Sequence, residues 1–207
     1  MAAAALITQM NIPAETEAEF NDWYTNEHVA ERVDLPGFRN AYRFEALDGR
    51  PKYFAYYETD GLDALTTPTY KAIMANQTAW SQKIMAQFED FGRFCGPLVS
   101  QAGRGHGGMA LVVQATGGDG LDGFLTYVLQ DAVGRPLGVT GRLWRADADA
   151  TGDPAVAGQR ILVVEALDEA TLRGVAAERL RPAALTAAGA EGRPSIGVYR
   201  LVSFMEA

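Results

Sequence analysis

Apolar positions along this chain switch repeatedly between two spacings, and the switches mark its elements. Ala5 to Met10 is an apolar run of strand length, and Glu15 to Val33 carries apolar residues at helical intervals. Pro36 and Gly37 stop that helix. Phe38 to Ala46 alternates large and polar residues, and Lys52 to Glu58 does so again after the turn Leu47 to Pro51, which predicts a β-hairpin. Gly61 to Met85 predicts a second helical region, interrupted near Thr67-Pro68 because proline lacks the amide that a helix interior uses. Phe88 to Val99 predicts a fourth strand.

The same order recurs. Met109 to Ala115 predicts a strand, Gly120 to Ala132 a weak helix, and Val139 to Ala146 with Gln159 to Ala166 a second hairpin-like pair around the stretch Asp147 to Gly158. Asp168 to Ala188 is rich in Ala and Leu and predicts a strong helix, capped by Asp168 and ended by Gly189, before a last strand from Ser195 to Phe204. A βαββαβ order is the split βαβ, or ferredoxin-like, arrangement. The fold class expected is therefore α+β: two tandem ferredoxin-like units, 1–102 and 109–207, joined by a linker at 103–108, whose antiparallel sheets pack face to face into an intramolecular α/β barrel.

Composition narrows the function. The 207 residues are 48% hydrophobic, ample for a packed core, and no run approaches the roughly 20 apolar residues of a membrane-spanning helix. The opening Met-Ala-Ala-Ala-Ala-Leu-Ile-Thr lacks the basic flank of a secretory signal, so a cytoplasmic protein is expected. A net charge of −8 argues against a nucleic-acid surface. The single cysteine, Cys95, excludes an intrachain disulfide and a multi-cysteine metal site, and its Phe-Cys-Gly setting reads as structural. No metal site and no cofactor are expected. His106, in a glycine run that lacks the lysine of a phosphate loop, reads as linker.

Candidate chemistry gathers on the first helix, at Trp23-Tyr24-Thr25-Asn26-Glu27-His28. At about 100° per residue, Phe20, Trp23, Tyr24, Glu27 and Glu31 share one face and His28 sits at its border. The bland alternative is an aromatic core stripe whose carboxylates reach solvent or pair with Arg32, Arg39 or Arg43. Functionally, the imidazole of His28 exchanges protons near neutrality and is the expected general acid or base. Glu27 is the second catalytic candidate, and it orients His28 only if the helix end is distorted, because adjacent helical residues do not face each other. The expected substrate-binding residues are Trp23, Tyr24, Asn40, Tyr42, Arg43, Tyr57 and Trp80. Alternation puts Asn40 and Tyr42 on the opposite strand face from Arg43 and leaves open which face meets the helices. Trp80 covers the opening or anchors helix to sheet.

The residues Trp23-Tyr24, Glu27-His28, Glu31-Arg32, Leu35-Pro36-Gly37-Phe38 and Arg43 resemble the dimeric α/β-barrel superfamily, in particular its EthD-like and stress-responsive branches. The resemblance covers the first half; element order alone extends it to the second, which repeats no histidine-bearing helix. It implies a ligand pocket between helices and sheet, and activities that include isomerisation, cyclisation, cofactor-free oxidation of aromatic substrates and, in other branches, haem binding. The resulting expectation is a cofactor-independent enzyme transferring a proton on a small aromatic or cyclic oxygenated metabolite, of lyase, isomerase or cyclase type. Its rival is a non-catalytic small-molecule-binding or stress-associated barrel protein. The resemblance to dimeric proteins also leaves a homodimer open.

Overall fold

The computed structural model describes residues 3–207. Strand β1 (Ala4–Asn11) leads into a helical segment of three parts: α1 (Glu17–Trp23), a π-helical turn (Tyr24–His28) and α2 (Val29–Val33). Gly37 then takes φ +87° and lies where a Cβ would come within 3.0 Å of Ala64, so glycine suits both the backbone and the packing at the entry to β2. The hairpin β2 (Phe38–Ala46) and β3 (Tyr53–Thr59) follows as the alternation predicts.

Helix breaks follow the prolines, with one addition. Thr67 caps α3 (Pro68–Ala75), and a second break, unanticipated in the sequence, precedes α4 (Ala79–Met85), where Thr78 accepts from the Ser81 amide. The fourth strand, β4 (Glu89–Gly103), runs past its expected end at Val99. Beyond it lie β5 (Met109–Gly117), α5 (Asp119–Gly134) and β6 (Gly138–Arg145). The stretch between the second hairpin's strands holds α6 (Ala148–Thr151), before β7 (Gln159–Ala166). The helix expected from Asp168 to Ala188 is instead two, α7 (Glu169–Arg179) and α8 (Pro182–Ala187). Arg181 is extended ahead of Pro182, as the steric demand of proline on its predecessor requires. The last strand, β8 (Ala190–Glu206), starts before Ser195.

The eight strands form one closed antiparallel barrel in the order β1-β3-β2-β8-β5-β7-β6-β4. Within each unit the sheet has ferredoxin-like order; between units, β2 pairs with β8 and β4 with β6. The two sheets therefore join at their edges as well as facing each other, which removes the unpaired strand edges each would expose alone.

Three apolar layers result. Strand residues pointing outward in the first unit, among them Leu6, Met10, Ala41, Ala55 and Tyr57, pack under α1, α2 and α4 with Phe20, Trp23 and Ile84. The second unit repeats this with Leu125, Leu129, Leu143, Leu172 and Val175. Between them the barrel interior is filled by Ile7, Phe44, Phe54, Tyr56, Trp144, Val163 and their neighbours. No helix among the described residues is long and apolar enough to cross a membrane.

Candidate functional site

The π-turn builds the site. In it the Val29 amide donates to the Tyr24 carbonyl, five residues back, instead of four. On an uninterrupted α-helix Trp23 and His28 would diverge by about 140°, at roughly 100° per residue. The wider turn instead brings His28 onto the Trp23 face, with ring centroids 4.4 Å apart, and edge-on to Tyr24 at 5.0 Å. Helix distortion of this kind concentrates at functional sites because the backbone tolerates it only where packing enforces it.

Across from this turn lies the outward face of the first unit's sheet. The Tyr57 hydroxyl donates to the Tyr24 hydroxyl at 3.3 Å, and Tyr24 lies 3.4 Å from the Thr8 hydroxyl. Arg43 is 1% exposed, with its guanidinium carbon 4.5 Å from the Tyr24 ring centroid and 4.9 Å from those of Phe20 and Tyr53. One of its terminal nitrogens donates to Asn21, while Nε and the other have no partner. Among the described residues no carboxylate bonds it, and three aromatic faces supply electrostatic compensation.

A cavity of about 60 Å³ opens between helix and sheet. Its polar wall is Thr8, Tyr24, His28, Arg32 and Arg93; its apolar wall includes Leu6, Met10, Met85 and Phe88. His28 Nδ1 is buried without a partner. Burial, and then the charges of Arg32 and Arg43, hold the imidazole pKa well below its ordinary 6.5. At neutral pH the ring is uncharged and has a lone pair to offer.

Glu27 serves a different contact. Its Oε1 accepts from Trp23 Nε1 at 3.2 Å, Ser81 Oγ at 3.0 Å and Thr78 Oγ1 at 2.6 Å, tying the π-turn to the start of α4. The helix end is distorted, as an interaction with His28 would need, but the carboxylate is bonded to α4. Trp80 donates to Glu19 at 3.2 Å and packs on the layer's apolar residues without lining the cavity.

The structure thus brings Trp23, Tyr24, His28, Arg43 and Tyr57 together, and places Asn40 and Tyr42 elsewhere. Strand alternation sends those two into the barrel, where Tyr42 stacks on Tyr56 at 4.3 Å and Asn40 donates to Glu58 at 2.8 Å. Arg142 pairs with Glu58 and reaches Glu165 at 3.3 Å, and Tyr56 donates to Glu165 at 3.0 Å. Burial raises the Glu165 pKa. Sequence reasoning missed Arg93 and Thr8, and treated Arg32 only as an ion-pair partner. Arg32 stands four positions after His28, a spacing that puts both on one helix face, and that signal was available.

Solved structures of the same shape share almost no sequence. An anthrone oxidase-like protein superposes with a TM-score of 0.71 at 9% identity, covering 99% of this chain and 93% of its own. The chain shares their fold, an α+β barrel of two ferredoxin-like units. A candidate monooxygenase from Fusobacterium nucleatum matches at a TM-score of 0.64 and 8% identity, over 99% of this chain and 94% of its own. A heme-binding protein from Thermus thermophilus matches at 0.55 and 10%, over 98% and 92%. No family profile matches the sequence, and no curated relative does. Identities this low carry the fold and leave the chemistry to the site.

The residues of this chain do not fit a haem. Its two histidines are His28, against a cavity of about 60 Å³, and His106, exposed and stacked 4.5 Å from Phe204 and 5.0 Å from Tyr42. A haem is many times larger than that cavity. The equivalent layer of the second unit is filled by leucines and valines and holds no histidine.

Proposed function

We propose that the pocket beneath the π-turn binds a small aromatic or cyclic oxygenated molecule, and that His28 moves a proton on it without a cofactor. The observation that carries this reading is a neutral imidazole, unpartnered at Nδ1, turned by a π-turn into an aromatic-walled cavity. A neutral imidazole can accept a proton from a carbon or oxygen acid, leaving an enolate or phenolate beside an imidazolium. The buried guanidinium of Arg43 lies in the same layer and favours that negative charge. From the anion, elimination, isomerisation, cyclisation or reaction with dioxygen are all open. The names of two structural neighbours, oxidase-like and monooxygenase, sit within that set. Placement in the EthD-like branch rests on the residues from Trp23 to Phe38 and belongs to the same proposal.

The test needs no knowledge of the final product. A panel of phenols, aryl ketones and lactones is incubated with the protein in D2O, and deuterium uptake at the acidic carbon is followed by NMR. Wild type should catalyse exchange on at least one class, and His28→Gln should slow it by about 10²-fold while keeping the fold. Equal exchange by both proteins removes His28 from the reaction.

One observation favours the rival reading, a binding protein without turnover. His28 has no orienting carboxylate, because Glu27 is committed to α4. Ligand binding with no exchange on any panel member would establish that reading.

A further inference from the structure

We infer that the cavity of the first unit selects an anionic ligand, a carboxylate or an enolate, and that Arg32 is the residue that engages the negative group. This rests on the proposal that the cavity holds a small molecule, and it names the ligand's class.

The argument starts from what lines the cavity. Two guanidiniums, Arg32 and Arg93, and one imidazole face it, and none of its lining residues is acidic. In a chain of net charge −8, this is a local reversal of sign. Arg93 is already engaged, donating to the Thr151 carbonyl at 2.7 Å. Arg32 is held more loosely: it is 2% exposed, and among the described residues its polar contacts are an ion pair with Glu31 at 3.5 Å and the Met74 sulfur at 3.7 Å. The first is at the limit of a hydrogen bond, and the second is to a weak acceptor.

A guanidinium has five N–H donors in a planar fork that matches a carboxylate in two parallel bonds. A long ion pair and a thioether satisfy this fork weakly, and a ligand carboxylate would bond it better than either. Arg43 adds a second buried cation to the same layer, its Nε and one terminal nitrogen unpartnered. An anion bonded to Arg32 is also attracted by Arg43, whose buried guanidinium lies over the Tyr24 ring that walls the cavity.

Aromatic and methionine side chains supply the rest of the specificity. Tyr24, Tyr70, Phe88 and Phe91 give flat apolar walls, and Met74 and Met85 adapt their shape. An aromatic or cyclic ring carrying one negative oxygen group matches both kinds of wall, and at about 60 Å³ the cavity admits it only as the exposed Met74 and the flexible Met85 side chain move aside.

Benzoate and benzamide share size and shape and differ in charge. Calorimetric titration of the full chain should show benzoate binding about tenfold or more tightly than benzamide, the difference expected for a charged against a neutral hydrogen-bonded group. Arg32→Met should abolish that preference, and Arg93→Met should reduce it by much less. Arg32→Lys keeps the charge and should retain part of the preference, so the assignment can be read even if Arg32→Met does not fold. Equal affinity of wild type for both probes overturns anion selection and leaves the pocket reading standing. Loss of the preference in Arg93→Met but not in Arg32→Met overturns the role of Arg32. Binding of neither probe at millimolar concentration overturns the pocket reading and this inference together.

Discussion

The His28 imidazole lies 4.4 Å from the Trp23 indole, centroid to centroid, although the two are five residues apart on one helical segment. The same tryptophan donates through Nε1 to Glu27, one residue before His28. A π-turn lets consecutive side chains meet one partner, which a regular helix does not allow.

That burial has a pH signature. The folded-state pKa of His28 lies well below 6.5, so the unfolded chain binds a proton there that the folded one refuses as pH falls through about 6.5. Stability from this residue is therefore present above that pH and lost progressively below it. Urea denaturation at pH 7.5 and 5.5 should show a smaller loss on acidification in His28→Gln than in wild type. Parallel losses would place the imidazole in water.

An anion in the cavity should reverse the shift. The titratable and charged groups around His28 include Tyr24, Tyr57, Tyr70, Arg32, Arg43, Arg93, the adjacent Glu27 and, at the outer edge, Glu31. Two of these cations depress its pKa, and a bound negative charge opposes them. NMR titration of the imidazole with saturating benzoate should show the pKa raised relative to the free protein; an unchanged value would mean that the anion sits elsewhere.

Arg43 is an expensive residue to keep. Its guanidinium is buried with two nitrogens unpartnered and, among the described residues, no acid bonded to it, against the gain from three aromatic rings. Replacing it with Met, similar in length and apolar, should leave stability within about 1 kcal/mol of wild type or raise it, while deuterium exchange falls. A stability loss above about 2 kcal/mol in chemical denaturation would show Arg43 to be structural.

Glu27 should separate by chemistry. Gln keeps an acceptor for Trp23, Thr78 and Ser81, whereas Ala takes the acceptor from the buried Ser81 hydroxyl and leaves Trp23 with Ser81 alone. Thermal and urea unfolding should find Glu27→Ala destabilised by about 2 kcal/mol and Glu27→Gln by much less. If instead Glu27→Gln folds normally but loses exchange activity, the carboxylate acts in the chemistry.

Much of the architecture was legible before the structure. Element order and the tandem repeat followed from periodicity and from Pro36, Gly37 and Pro68, because steric limits on the backbone act locally. Pro182 carried the same signal and divides the helix that composition alone would make continuous. One site feature was not legible. Asn40 and Tyr42 alternate with Arg43, and nothing local says which set meets the helices; the barrel decides by enclosing one face.

The chain by itself determined the periods, the breaks and the presence of one histidine among aromatics, since these depend on residues near each other along the backbone. Tertiary structure alone decided the closure of the barrel through β2–β8 and β4–β6, the separation of Asn40 and Tyr42 from His28, and the turning of His28 onto Trp23. Each depends on contacts between elements remote in sequence, whose packing energy outweighs the local preference for a regular helix.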